Sequence, residues 1–301
     1  QYGMSFGGGE VLLYYNKDML KAAGLSDPPA DWSWDDLLQY SQKLTKREGG
    51  RTTQWGLAIP TWWLYSWMPF VWSNAGDFYN KDFSASVFDS PENVESLTFL
   101  NDLVNKHKVA PVPSVAASAG MGPRGMFRAN NLAMSMNGPW DVGASTKAAR
   151  EEGFDFDISP NWPPNKAGEK YRKTRLTFDG VVLSAEAKGD KAKAGFEFIR
   201  WTCAEGGQEI IGEIGRIMPA MKWAAMSELW ADPDTPWREE AFVDGFSHAR
   251  LQPVTLMWPK FNEELGKQHD LLLTGAQTPM ETVKATDGII KRLVEENKQV
   301  L

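Results

Sequence analysis

The chain has 301 residues, a formal net charge of −7 with both signs interspersed, one cysteine and three histidines. That balance argues against a nucleic-acid binder and mildly against a strongly anionic ligand. Cys203 alone forms no internal disulfide, His107, His248 and His269 stand too far apart for a metal spacing, and no apolar run reaches 18 residues, so no cofactor, metal or spanning helix is expected. Fourteen tryptophans against seven tyrosines is the unusual feature. Indoles are large and seldom fully buried, and such an excess suits a protein that grips ring-shaped polar ligands by their apolar faces.

Gly7-Gly8-Gly9 reads as a flexible crossing that leads into a strand over residues 11–15. A helix over 18–23 ends at Gly24, with Asn16, Lys17 and Asp18 read as its cap and support. Ser33-Trp34-Asp35-Asp36 has the form of a capping box, and Trp34, Leu37, Leu38, Ser41 and Leu44 share a face of a helix that is expected to stop at Gly49-Gly50. Trp32 and Trp34 read as structural. A strand is expected over 55–59.

Ser90-Pro91-Glu92 opens a helix with the stripe Val94, Leu97, Leu100, Leu103 and Val104. Residues 109–125 read as a loop, and 132–136 as a strand that runs into Asn137-Gly138-Pro139-Trp140. The proline-rich stretch from Pro160 to Pro164 is irregular. A strand over 180–185 is followed by a helix capped by Asp190 and containing Ala194, Phe196, Ile199 and Cys203, the last a buried structural thiol. Residues 215–219 read as a second irregular crossing. Thr278-Pro279-Met280-Glu281 is another capping box, opening a final helix with Val283, Ile289, Ile290, Leu293 and Val294 on its core face. Strands alternating with long helices make the class α/β.

Leu13-Tyr14-Tyr15-Asn16-Lys17-Asp18, continuing through Pro28-Pro29 to Trp32-Ser33-Trp34-Asp35-Asp36-Leu37, resembles the signature of the extracellular solute-binding proteins that feed ABC sugar importers. The stretch from Met126 to Trp140, ending Asn137-Gly138-Pro139-Trp140, is similar to a second block of that family. Further blocks run through Asp179-Gly180, the helix from Lys191 to Phe198, Gly215 to Pro219, and Leu273-Thr274-Gly275. Together they cover the chain from residue 10 to about 297 in the family's order.

The resemblance implies a periplasmic-binding-protein-like two-lobed fold (type II) that closes on its ligand. Residues 10–176 plus 217–301 would form the second lobe, and 1–9 plus 177–216 the hinge and a remnant of the first. Roughly a hundred residues of first lobe precede the signature in that family, a span of domain size, so the chain reads as beginning inside that lobe. It also implies a carbohydrate ligand, the membrane subunits of an ABC permease as partners, a monomer, and a periplasmic or extracellular location, free or lipid-anchored. No catalysis is implied.

Candidate ligand residues follow from the resemblance. Trp140 would stack on a sugar ring, whose C–H face an indole covers without demanding hydrogen bonds. From Trp62, Trp63 and Tyr65, one or two rings would turn inward if the segment alternates as a strand or loop, with Trp67 and Trp72 in the core. Trp258 would add an aromatic wall. Asp179 and Gly180 sit at the lobe junction, where the carboxylate either accepts from hydroxyls or holds a turn. Arg216 contacts ligand or turn carbonyls, and Glu10 faces solvent or cleft.

Rival readings are weaker on the residues. A glycosidase needs two carboxylates across one bond, whereas Glu263-Glu264 and Glu239-Glu240 are adjacent and diverge on a helix. No G-x-S-x-G elbow occurs. A glycerol-3-phosphate or glycerophosphodiester ligand would call for converging arginines, for which Arg124 and Arg128 are the candidates.

Overall fold

A computed structural model describes residues 3–60, 62–118, 122–215, 217–230, 240–253, 255 and 257–300. Its strands are β1 (Met4–Glu10), β2 (Leu12–Asn16), β3 (Lys46–Glu48), β4 (Arg51–Ala58), β5 (Leu132–Asn137), β6 (Phe156–Ile158), β7 (Thr174–Val181), β8 (Met218–Pro219) and β9 (Ala249–Leu251). The helices are α1 (Lys17–Ala22), α2 (Trp34–Leu44), α3 (Trp63–Trp72), α4 (Pro91–Asn105), α5 (Pro113–Ser118), α6 (Gly122–Arg128), α7 (Val142–Glu152), α8 (Gly189–Thr202), α9 (Glu205–Ile214), α10 (Lys222–Ala225), α11 (Glu240–Gly245), α12 (Trp258–Leu273) and α13 (Pro279–Val300).

Two sheets form. The larger has the order β3-β4-β5-β2-β6, with β4 and β5 parallel and the other pairs antiparallel. The smaller has the order β8-β1-β7-β9. The chain passes from the small sheet to the large one at Val11, whose N–H donates to Arg175 O and whose carbonyl accepts from Thr174 Oγ1 at 2.6 Å. The three glycines are therefore strand rather than a flexible crossing. They are buried in β1, and Gly9 lies so close to Pro139 that a Cβ there would sit 2.1 Å from the proline Cγ.

The capping signals act locally and appear as expected. Asn16 accepts from Met19 N at 2.9 Å, Ser33 and Asp36 form the reciprocal box, and Thr278 and Glu281 do the same at the start of α13. Trp32, Trp34, Trp67 and Trp72 are buried, as are Leu97, Leu100, Leu103 and Val104 of α4.

Five expectations are corrected. The α2 helix ends at Leu44, because Thr45 turns extended and its hydroxyl bonds Ser41 O and Gly56 N; Gly49 and Gly50 instead make a hairpin turn, with φ of 56° and 80°. Residues 63–72 are helical, not alternating, with Trp62 as the extended cap. The 109–125 stretch contains α5 and α6. The strand expected over 180–185 ends at Val181, where pairing with Met4 runs out, and begins at Thr174. Asp190 sits in the first turn of α8, where its charge complements the helix dipole, while the N-cap position is Lys188. Cys203 caps that helix and is buried, but Phe196 is 55% exposed.

Candidate functional site

At the junction of the two sheets, the Asn137-Gly138-Pro139-Trp140 turn follows β5. Tyr14 of β2 fixes it from below by donating its hydroxyl to Gly138 O at 2.7 Å. From within the turn, Asn137 and Ser145 donate to the buried Asp141 carboxylate at 2.7 and 2.8 Å, and Arg128 pairs with the other oxygen. Gly138 is required here: a Cβ would stand 2.3 Å from Trp140 Cη2, so the indole folds back over bare backbone. The half-buried Trp140 is thus held by a network with little freedom.

Helix α3 presents its aromatic residues at helical spacing, and this sorts the cluster. Trp63 is 2% exposed, packed on Trp67, Phe78 and Phe261, with its N–H bonded to Asn262. The two rings left facing outward are Trp62, 64% exposed at the helix cap, and Tyr65. Their centroids are 6.0 Å apart and nearly parallel, and Tyr65 meets Trp140 at 5.4 Å. These three rings, with Pro60, Pro123, Arg124, Met136 and Asn137, line one pocket. It encloses about 80 Å³, against ~300–1,000 Å³ for a complete small-molecule site, so these residues make one wall.

Strand β7 extends that wall. Its pairing sets Thr177 opposite Gly9 and Asp179 opposite Gly7. Alternation therefore puts Arg175, Thr177 and Asp179 on the Pro139 side of the sheet. Arg175 is 3% exposed and lies 4.6 Å from the centroid of the Tyr65 ring. Two of its nitrogens bond the Gln252 side-chain oxygen, while Nη1 has no hydrogen-bond partner among the described residues. Burial lowers its pKa, opposed by Tyr65 and Asp179. Composition gave no hint of this residue; only the strand register places it beside Tyr65.

The remaining expected residues fall elsewhere. Trp258 packs behind the wall on Trp63 and Phe261 and does not line the pocket. Asp179 and Gly180 are exposed at the end of β7, and it is the Asp179 backbone carbonyl, accepting from Ser5 Oγ, that ties the strand ends. Arg216 lies outside the described residues. Glu10 faces neither solvent nor pocket. It is fully buried on the opposite face of β1, where a Cβ on Gly245 would touch its Oε1 at 2.0 Å. Neither oxygen has a hydrogen-bond partner among the described residues, and burial holds the carboxyl well above the usual range.

The model of bacterial extracellular solute-binding proteins matches residues 1–236. The chain belongs to that family. Among solved structures, the fold matches the ABC substrate-binding protein Lmo0181 from Listeria monocytogenes in complex with cycloalternan. The TM-score is 0.86 and the identity 26%, over 98% of this chain and 72% of that one. An arabinooligosaccharide-binding protein of Halalkalibacterium halodurans is 29% identical over 109 residues, 36% of this chain and 23% of that protein. The sn-glycerol-3-phosphate-binding periplasmic protein UgpB of Shigella flexneri is 32% identical over 106 residues, 34% of this chain and 24% of that protein. The matched stretches thus span about a quarter of those two relatives' lengths.

Proposed function

We propose that this chain is the greater part of the solute-binding component of an ABC importer. It captures a sugar, oligosaccharide or polyol against Trp62, Tyr65 and Trp140 outside the cytoplasm and delivers it, as a monomer, to the membrane permease. The observation that carries the reading is the row of three outward rings at a sheet junction in a member of the solute-binding family. Each ring can cover the C–H face of a pyranose, a contact of about 0.5–1.5 kcal/mol. The Tyr65 hydroxyl supplies a polar group at the rim. Residues 10–176 plus 217–301 act as one lobe, and 1–9 plus 177–216 belong to the other, across which closure would occur.

Binding without catalysis is the reading for the whole protein, in keeping with relatives that are named binding proteins. A glycerol-3-phosphate ligand is a second reading, favoured by one of the relatives and by Arg124, which lines the pocket. Arg128 is committed to Asp141 and is not available for it. A tryptophan-fluorescence titration with mono-, di- and oligosaccharides, polyols and glycerol-3-phosphate tests both. A saturable change with one sugar class, lost in Trp140→Ala, supports the first; a response to glycerol-3-phosphate alone replaces it with the second.

A further inference from the structure

Among the described residues that line the pocket, the charge is of one sign. No aspartate or glutamate is among the described residues that line the pocket. Arg124 lines it from α6 and has neither a hydrogen bond nor an ion pair among the described residues. Beneath Tyr65, Arg175 is buried with no carboxylate at ion-pair distance among the described residues: its hydrogen bonds there go to an uncharged amide, Nη1 makes none, and its charge rests on the Tyr65 ring. The acid that acts on it is Asp179, exposed to solvent further along the same strand and acting only through its field. By contrast, Arg128 on the same helix as Arg124 is neutralised by Asp141. A guanidinium in a low-dielectric site is poorly compensated by an amide and a ring, and it gains most from a neighbouring anion.

Resting on the sugar-binding reading above, we propose that this pocket selects carbohydrates bearing a carboxylate, such as uronate-containing oligosaccharides, over their neutral counterparts. Arg124 pairs the carboxylate in fork geometry while the sugar ring lies on Trp140 and Tyr65. Arg175 is a positioning residue. It holds Tyr65 from behind and contributes a second positive charge that the bound anion offsets. The whole-chain charge of −7 does not oppose this at short range, because exposed charges beyond about 8–10 Å are screened at moderate salt.

The test is a fluorescence titration of the 301-residue chain with digalacturonate, its neutral disaccharide counterpart and glycerol-3-phosphate, each at low and high salt. One charge-assisted contact predicts that digalacturonate binds about 10- to 100-fold more tightly than the neutral sugar. That advantage shrinks with salt. In Arg124→Gln most of it is lost, whereas Trp140→Ala weakens both sugars by a similar factor. Arg175→Met lowers the advantage in part, and Arg175→Lys, which keeps the charge, restores some of it. Equal binding of both sugars, or an advantage undiminished in Arg124→Gln, overturns the proposal and leaves the sugar reading standing. A response to none of the three overturns this proposal alone, and a response to glycerol-3-phosphate alone overturns the sugar reading and this proposal with it.

Discussion

Trp140 owes its orientation to a single missing methyl group. Because a Cβ at Gly138 would meet the indole at 2.3 Å, Gly138→Ala is expected to swing Trp140 away while the network on Asp141 keeps the turn itself. Sugar binding should then fall about as far as in Trp140→Ala, with a smaller change in unfolding midpoint; a variant that binds normally would show that the ring is not a ligand contact. Two buried titratable groups give opposite pH signatures. Burial raises the Glu10 carboxyl well above its ordinary 4.5, so its contribution is whole below that value and is lost as pH rises toward the folded pKa. Glu10→Gln should therefore flatten the decline in stability on the alkaline side, measured as urea midpoints from pH 5 to 8. Parallel curves for the two proteins would refute the buried acid. His269, fully buried against Pro60 O and Trp67, is pushed down to about 4. An unfolded imidazole takes up its proton near 6.5. Stability is thus lost as pH falls from about 6.5 to 4, by about 3 kcal/mol if the fold does not relax.

At the scale of elements, the local signals are strongest where side chains bond their own backbone. Ser33→Ala removes the hydroxyl that accepts from Asp36 N, leaves the Ser33 N–H bond to the Asp36 carboxylate, and should cost about 1 kcal/mol. Urea unfolding reads this directly, and a loss under about 0.3 kcal/mol would mean that packing of Trp34 and Leu37 alone sets the start of the helix. In the α3 segment, hydrophobicity was too uniform for a period to be read. Trp, Leu, Met, Phe and Val fill nearly every position, and such a run fits a buried helix or a strand equally well. What settles it is the burial of nine of its residues among α4, β7, β5 and α12. Residues 45–50 were misread for the opposite reason: Gly-Gly ends helices and turns hairpins alike, and the Thr45 hydroxyl decides between them by satisfying Gly56 N.

Across the whole molecule, the two sheets differ in how completely they are covered. Around the large sheet the core is closed, with Leu57, Phe70, Leu100 and Met134 all inaccessible. Around the small one, Val182, Phe196, Phe198, Ile214 and Met226 are each more than half exposed. Apolar faces of this kind seldom stay bare in water. The 301-residue chain is accordingly expected to bind a hydrophobic dye and to self-associate as concentration rises, and Phe198→Glu combined with Ile214→Glu should suppress both without weakening sugar binding on the aromatic wall. Analytical ultracentrifugation over a concentration series checks this; a strict monomer with no dye binding would mean the face is covered within the chain.

Much of the fold was legible because its signals are short-range. The family blocks, the capping boxes at Ser33 and Thr278, the β2 and β5 strands and the stripe of α4 each depend on residues a few positions apart. Trp140 could be singled out for the same reason, since its turn is contiguous. Tertiary structure alone decided which neighbours became wall and which became core: Trp62 and Tyr65 outward, Trp63 and Trp258 behind them, Glu10 turned to the far face, and Arg175 brought under Tyr65. Each of these depends on register and helical phase between segments more than a hundred residues apart. One step of either rotates a side chain from one face to the other, and the composition of the segment does not record which step was taken.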